Sequence, residues 1–255
     1  MGRMLVHAVL NTEGVSLAGG VEQPGHEAVG RDLGELAGGT ACGQCAGADP
    51  EPLFESSDAV IDFTSPSATG MHARLAARYG AALVVGTTGL GLEQNEALSA
   101  AAEAVPVVVG ANMSVGVNLL LGLTRQVAAI LGDDYDIEVV EMHHRHKVDA
   151  PSGTALALGH AAAAGRGTSL DSVSQRVRDG QIGSRRSGTI GFASLRGGDV
   201  VGEHTVIFAG DGERIELTHR ATSRTIFAQG ALRAAKWAAG RPPGFYSMRQ
   251  VLGLE

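Results

Sequence analysis

The stretch AVIDFTSPSATGMHARLAARYGAALVVGTTGLGLEQNEALSAAAEAVPVVVGA, residues 59–111, decides the fold. Three short apolar runs, Ala59–Phe63, Ala82–Thr87 and Val105–Ala111, alternate with two longer segments, Pro66–Tyr79 and Leu92–Ala104, whose apolar residues recur at helical spacing. Apolar runs that do not alternate with polar residues are strands covered on both faces, so β and α alternate around a parallel sheet. The pattern predicts an α/β, doubly wound, Rossmann-like domain, in which ligands sit beyond the carboxyl ends of the strands.

Upstream, Met1–Leu10 carries Met4, Leu5, Ala8 and Val9 at helical spacing, a helix with no strand before it. Val15–Val21 reads as a strand ending at Glu22, and a Gly-, Pro- and Asp-punctuated stretch follows to about Ser57. Downstream the pattern changes after Asn112. A helix over Val115–Leu131 leads to a strand over Asp136–His146 and a short helix opening at Ser152. Three β-like runs follow, near Gly188–Leu195, Val200–Ala209 and Arg214–His219. The GGD and GDG turns between these runs predict antiparallel hairpins. Residues 112–221 are therefore expected to form a second, α+β domain. The first would comprise 1–111 and 222–255, with a final helix over Arg224–Ala239 packing back on it.

Composition narrows the function classes. The chain has 255 residues, enough for one large domain or two modest ones, and 44% are apolar against 18% charged, which excludes disorder despite 37 glycines. A net charge of -7 argues against a general nucleic-acid binder, so an anionic partner must be met by local cations. No apolar run reaches the ~18 residues of a membrane span, and MGRMLVHAVLNTEG lacks the order of a signal peptide. A cytoplasmic protein is expected. Cys42 and Cys45 form a lone CxxC without the further ligands a structural zinc requires. No metal is expected, and a bland loop is favoured over a redox site. Lys occurs only as Lys147 and Lys236. Lys236 reads as surface, whereas Lys147 falls in the segment that concentrates the chemistry.

That segment is EMHHRHKVDAPSGT, Glu141–Thr154, which holds three of the nine histidines. Strand alternation would send His143 and Arg145 to one face and His144 and His146 to the other. Crowded cations lower the pKa of the least solvated imidazole, giving a proton donor poised near neutrality. Pro151-Ser152-Gly153-Thr154 then opens a helix whose N–H groups and dipole favour a carboxylate or phosphate. Cations beside such a terminus point to an anionic substrate.

EMHHRHKVDAPSGTA resembles the signature of the 4-hydroxy-tetrahydrodipicolinate (dihydrodipicolinate) reductases of lysine and diaminopimelate synthesis. VIDFTSP at Val60, VVGTTG at Val84, GANMSVGVN at Gly110, SGTIGFASLRGGDVVGEHTV at Ser187, the run at Thr218 and the final FYSMRQVLGL resemble the same family, so the likeness spans the chain. It implies reduction of 4-hydroxy-tetrahydrodipicolinate to tetrahydrodipicolinate with loss of water, NADH or NADPH as cofactor, and a homotetramer built through the second domain's sheet.

By the same resemblance His143 and Lys147 are the proton donors, His144 is a substrate ligand, and Gly153 and Thr154 hold a substrate carboxylate. Gly86, Thr87 and Thr88, with Gly110, Ala111, Asn112 and Met113, are implied on the nicotinamide side, Met113 standing where the family commonly has an aromatic residue. Glu22 ends a strand where an acidic residue binds adenosine ribose hydroxyls. Gln23 follows it where relatives often have Arg for a 2′-phosphate. The family opens with a strand and a GxxGxMG loop. Met1-Gly2-Arg3-Met4 matches only the end of that loop, so Met1 and Gly2 are the cofactor residues implied there and the first strand is missing. A downstream start or a shortened form is favoured over degeneration, because the substrate constellation is otherwise complete. Two rivals remain open: an impaired paralogue that binds dicarboxylates without turnover, and a CxxC redox protein.

Overall fold

The structure, a computed structural model, describes residues 1–254. In chain order the elements are α1 (Gly2–Leu10), β1 (Gly20–Val21), α2 (Leu33–Leu36), β2 (Ala46–Gly47), α3 (Glu51–Glu55), β3 (Ala59–Asp62), α4 (Pro66–Tyr79), β4 (Ala82–Val85), α5 (Leu92–Ala101), β5 (Pro106–Val109) and α6 (Val115–Leu131). They continue with β6 (Asp136–His143), α7 (Gly153–Gly165), α8 (Leu170–Val173), β7 (Ser174–Gln175), β8 (Ile190–Arg196), β9 (Gly202–Gly210), β10 (Glu213–Ala221), α9 (Thr225–Ala238), β11 (Gly244–Ser247) and α10 (Met248–Val251). The chain divides into two compact units, one of residues 1–115 with the segment from Thr225 onward, the other Gly116–Arg224.

The first unit holds a four-stranded parallel sheet in the order β11-β5-β4-β3. Every residue of β4 is buried, and its side chains divide between two cores. Ala82 and Val84 pack with α1, α9 and α10, whereas Leu83 and Val85 pack with α4 and α5. Two covered faces explain the unbroken apolar runs. The far strand β11 escapes a reading by pattern, since GFYS is four residues long and follows Pro242-Pro243 without an apolar run.

The expected strand over Val15–Val21 shrinks to Gly20–Val21, which pairs only with β2. Between Val15–Val21 and β3 lies a cavity of about 730 Å³, lined also by Leu5, Val9, Leu232 and Ala235. Among the described residues Val15–Gly19 pairs with no strand, and β3 pairs on one side only, with β4.

The second unit holds a five-stranded sheet, β10-β9-β6-β8-β7, with α6 and α7 packed on one face through Leu120, Ala128, Leu158 and Ala162. The GDG turn makes the expected antiparallel hairpin, Gly210 opposite Glu213. The GGD turn does not. β6 inserts between β8 and β9, parallel to the first and antiparallel to the second, so Gly197–Asp199 is a crossover instead of a hairpin turn. Its backbone groups bond to the end of β6: Gly197 N–H to the His143 carbonyl at 3.0 Å, Arg145 N–H to the Gly198 carbonyl at 3.2 Å.

A strand supplied to the cavity should pair with the open edge of β3. Extending the chain ahead of Met1 by about five or six β-branched residues and a glycine turn, a common strand length, should raise Tm by about 4 °C or more. It should also tighten NADH binding about tenfold. Calorimetry reads both, and an unchanged Tm would show that the cavity does not accept a strand.

Candidate functional site

β6 has the burial alternation of a strand with one covered face, and its inward residues are Ile137, Val139, Glu141 and His143. The first two belong to the core, while Glu141 places a carboxylate, 1% exposed, at the end of the same row. A buried charge is tolerated only when its oxygens are bonded, and here they are. Arg196 donates to both oxygens at 2.8 Å, Ser152 N–H donates at 3.2 Å, and His143 Nδ1 lies 2.5 Å from Oε2. Burial raises the Glu141 pKa, but Arg196, Ser194 and His143 outweigh it and bring it down to about 2.

An ionised carboxylate only accepts, so His143 carries its proton on Nδ1 and leaves Nε2 for exchange. Burial lowers the His143 pKa against the raising effect of Glu141, with Lys147 and Arg196 adding to the fall. Nε2 meets Gly202, where a Cβ would lie 3.0 Å away. The His204 ring is edge-on to His143 at 5.0 Å, and burial followed by the charge of His143 lowers its pKa to about 4. His204 Nε2 is 3.1 Å from the Ser152 hydroxyl oxygen, which also accepts the Ala155 N–H and so caps α7. One carboxylate thus ties His143 to the terminus that presents exposed Gly153 and half-buried Thr154.

The alternation expected over His143–His146 stops at His143. Lys147 N–H bonds to the His144 carbonyl at 3.1 Å, closing a turn, so Arg145 is exposed instead of sharing the buried face of His143. The His144 and His146 rings lie 6.2 Å apart and, with Arg145, Gly198 and Asp199, line an open hollow of about 750 Å³. Lys147 Nζ is 2.7 Å from Asp149 Oδ1, and Arg196 donates to the Asp149 carbonyl at 2.6 Å.

In the first unit, Gly86–Thr88 and Gly110–Asn112 follow the carboxyl ends of the adjacent strands β4 and β5, and Thr88 and Ala111 are exposed there. Backbone open at two neighbouring strand ends suits a nicotinamide nucleotide. The Thr87 hydroxyl is turned inward and donates to Asp62 at 3.0 Å. Met113 is 1% exposed in the core with Ala228 and Ala231, so its side chain packs the domain. Asn112 Oδ1 accepts the Ser114 N–H at 2.9 Å. Gly2 begins α1 and is exposed, and the Met1 carbonyl receives the Met4 and Leu5 N–H groups at 2.9 and 3.1 Å. Glu22 is exposed after β1, its Oε1 accepting the Gln23 N–H at 2.8 Å. Among the described residues no group of three or more His, Cys, Asp or Glu is arranged to hold a metal.

Sequence reasoning missed Glu141, Arg196, Ser152 and His204. A signal for Glu141 was present: strand alternation puts it on the face of His143, two residues on.

A parallel sheet with open strand ends, and a second unit that carries an imidazole oriented by a buried carboxylate, suit a nicotinamide-dependent oxidoreductase. Residues 1–113 match the N-terminal part of dihydrodipicolinate reductase and residues 116–252 its C-terminal part. The chain is 55% identical over 254 residues to the 4-hydroxy-tetrahydrodipicolinate reductase of Ruegeria pomeroyi, which covers 100% of this chain and 94% of that protein. The enzyme so named from Rhodopseudomonas palustris strain HaA2 is 56% identical over 254 residues, with 100% of this chain and 94% of that protein covered. Dipicolinate-bound dihydrodipicolinate reductase from Paenisporosarcina sp. TG-14 superposes with a TM-score of 0.75 at 25% identity, over 96% of this chain and 92% of that one. The chain belongs to the dihydrodipicolinate reductase family.

The buried network sets a pH dependence. His204 unfolded takes up a proton near pH 6.5 that it refuses when folded until about 4, so the second unit loses stability as pH falls through that window. Glu141 adds a second loss between its ordinary 4.5 and about 2, where the folded carboxylate is forced to protonate. His204→Gln should shrink the first loss and leave the second. Tm measured against pH checks this, and a flat Tm from pH 6.5 to 4 in the unaltered chain would contradict it.

Proposed function

We propose that this chain reduces 4-hydroxy-tetrahydrodipicolinate to tetrahydrodipicolinate with loss of water, a step of lysine and diaminopimelate synthesis. The observation that carries the assignment of roles is the Glu141–His143 pair bonded to the capped terminus of α7. NADH or NADPH, when bound beyond the ends of β4 and β5, would supply the hydride for the reduction. Gly153 and Thr154 hold one substrate carboxylate at the α7 dipole, and His144 adds a contact from the hollow. His143 holds and moves its proton at Nε2, with Nδ1 fixed on Glu141. The Lys147 ammonium, released from Asp149, is the second proton source. The rival binder without turnover gains no support from the relatives, which are named as the reductase over the full chain.

The same reading makes the protein a soluble, cytoplasmic enzyme. Val115–Asp134, α6 with the turn after it, passes for a membrane span by length and mean hydropathy, but its Leu120 and Ala128 lie in the core of the second unit. The partner we infer is a second, third and fourth copy of the chain. The face of the five-stranded sheet away from α6 and α7 carries half-buried Val140, Met142 and Ile207 and exposed Leu195, an apolar strip suited to a homotetramer whose mass light scattering measures.

His143→Ala and Lys147→Ala should each lower kcat by about 10²-fold or more, the scale of positioned proton transfer. A change confined to KM would demote them to carboxylate binders. Thr154→Val should chiefly raise KM.

Cofactor preference follows from Glu22 and Gln23. A carboxylate repels a 2′-phosphate, and an amide cannot offset it as a guanidinium does. NADH should serve at least as well as NADPH in kcat/KM. A preference for NADPH of about tenfold, or about 1.4 kcal/mol, would place the phosphate contacts elsewhere.

A further inference from the structure

Asp62 closes β3 with its side chain on the face covered by α4, 1% exposed. Oδ1 accepts the Thr64 N–H at 2.9 Å, the Thr64 hydroxyl at 2.6 Å and the Thr87 hydroxyl at 3.0 Å. Oδ2 has one partner in the hydrogen-bond pattern, His72 Nδ1 on α4, at 3.1 Å. His72 is 6% exposed, and its ring packs tilted against that of the buried Phe54, centroids 5.7 Å apart. Burial raises the Asp62 pKa, but the bonds from His72 and Thr64 prevail and bring it to about 2.

The bonds do more than satisfy one carboxylate. They join the chain after β3 to the chain after β4. Thr64 N–H is also 3.1 Å from the Thr87 hydroxyl oxygen, and Gly86 N–H donates to the Asp62 carbonyl at 2.8 Å. The Phe63 ring lies over Gly86 so closely that a Cβ there would come within 2.3 Å of it. Residues 63–64 and 86–87 are therefore one body fixed from beneath by Asp62, and Asp62 is fixed laterally by His72. A structural knot needs no such location. This one sits at the carboxyl ends of two adjacent parallel strands, where this architecture places ligands.

We propose that Asp62 and His72 form a positioning pair that sets nicotinamide-nucleotide affinity by holding the Gly86–Thr88 backbone through Thr87 and Thr64. His72 touches no cofactor in this scheme and acts through Asp62. The inference rests on reading Gly86–Thr88 as the nicotinamide loop.

The variants His72→Leu, which removes the donor and keeps the bulk, and His72→Asn, whose amide nitrogen can stand where Nδ1 does, separate positioning from packing. NADH Kd by fluorescence titration, KM and kcat, and binding of pyridine-2,6-dicarboxylate are measured on each. His72→Leu should weaken NADH binding and raise its KM by about tenfold, with kcat at saturation and dicarboxylate binding within about twofold. His72→Asn should restore NADH affinity to within about threefold. A folded His72→Leu protein that binds NADH as the unaltered chain does, whatever its Tm, overturns the proposal. If His72→Leu does not fold, Thr87→Val decides, because it leaves the pair intact and cuts its link to the loop: a KM effect is expected, and none refutes the inference. Failure of the unaltered chain to bind NADH is a separate result that removes the cofactor reading itself, and the pair's role with it.

Discussion

The Glu141 carboxylate is the interaction on which the polar interior of the second unit depends. Its place is dictated by strand periodicity, since β6 runs Ile137, Val139, Glu141, His143 along one inward face. An apolar residue at 141 would pack more cheaply, because pairing rarely repays the desolvation of a buried ion in full. What the carboxylate provides is geometry: three directions fixed at once, toward His143 Nδ1, the Ser152 N–H and the Arg196 fork. Arg196 carries the constraint one step further by holding the Asp149 carbonyl, and so the loop that bears Lys147.

Asp62 repeats the device in the other unit. Each is a carboxylate on the inward side of a strand near its carboxyl end, each is 1% exposed, and each bonds the chain that leads away from a strand. Elements end where function begins in this architecture, and loops have little apolar surface to fix them. A buried anion with several donors substitutes for that surface. Its cost is sensitivity to the loss of any one donor, since the remaining charge stays buried.

How much of this the sequence discloses depends on what carries each feature. α4 and α6 begin and end where their spacing predicts, because amphipathic period and flanking breakers are local. The pairing of β8 with β6 was not legible: the GGD turn has hairpin chemistry, and only the sheet shows that β6 takes the intervening place. The segment Glu141–Thr154 stands out by its density of imidazoles, but Arg196 lies 55 residues from Glu141, and no local pattern links them. Cys42 and Cys45 resolve differently. Asp32 accepts the N–H groups of Gly34, Glu35, Cys42 and Gly43, so the CxxC lies in a loop built around an Asp cap, which accounts for its glycines without redox chemistry.

Two ion pairs a few residues apart show how burial divides holding from exchanging. Glu141 with Arg196 is withdrawn from water on the carboxylate side, 1% exposed, and parting it would strand a charge. Lys147 with Asp149 is otherwise, since Asp149 is 54% exposed and a pair of that kind contributes under about 1 kcal/mol. Asp149 can therefore yield the ammonium to an arriving carboxylate at little cost, its own charge passing to solvent. Arg145, exposed and without a carboxylate partner among the described ion pairs, adds a cation at the hollow beside His144 and His146. Near His143 the cations thus differ in kind: Arg196 is locked on buried Glu141, Lys147 is paired with exposed Asp149, Arg145 is open, and the locked pair aims the imidazole.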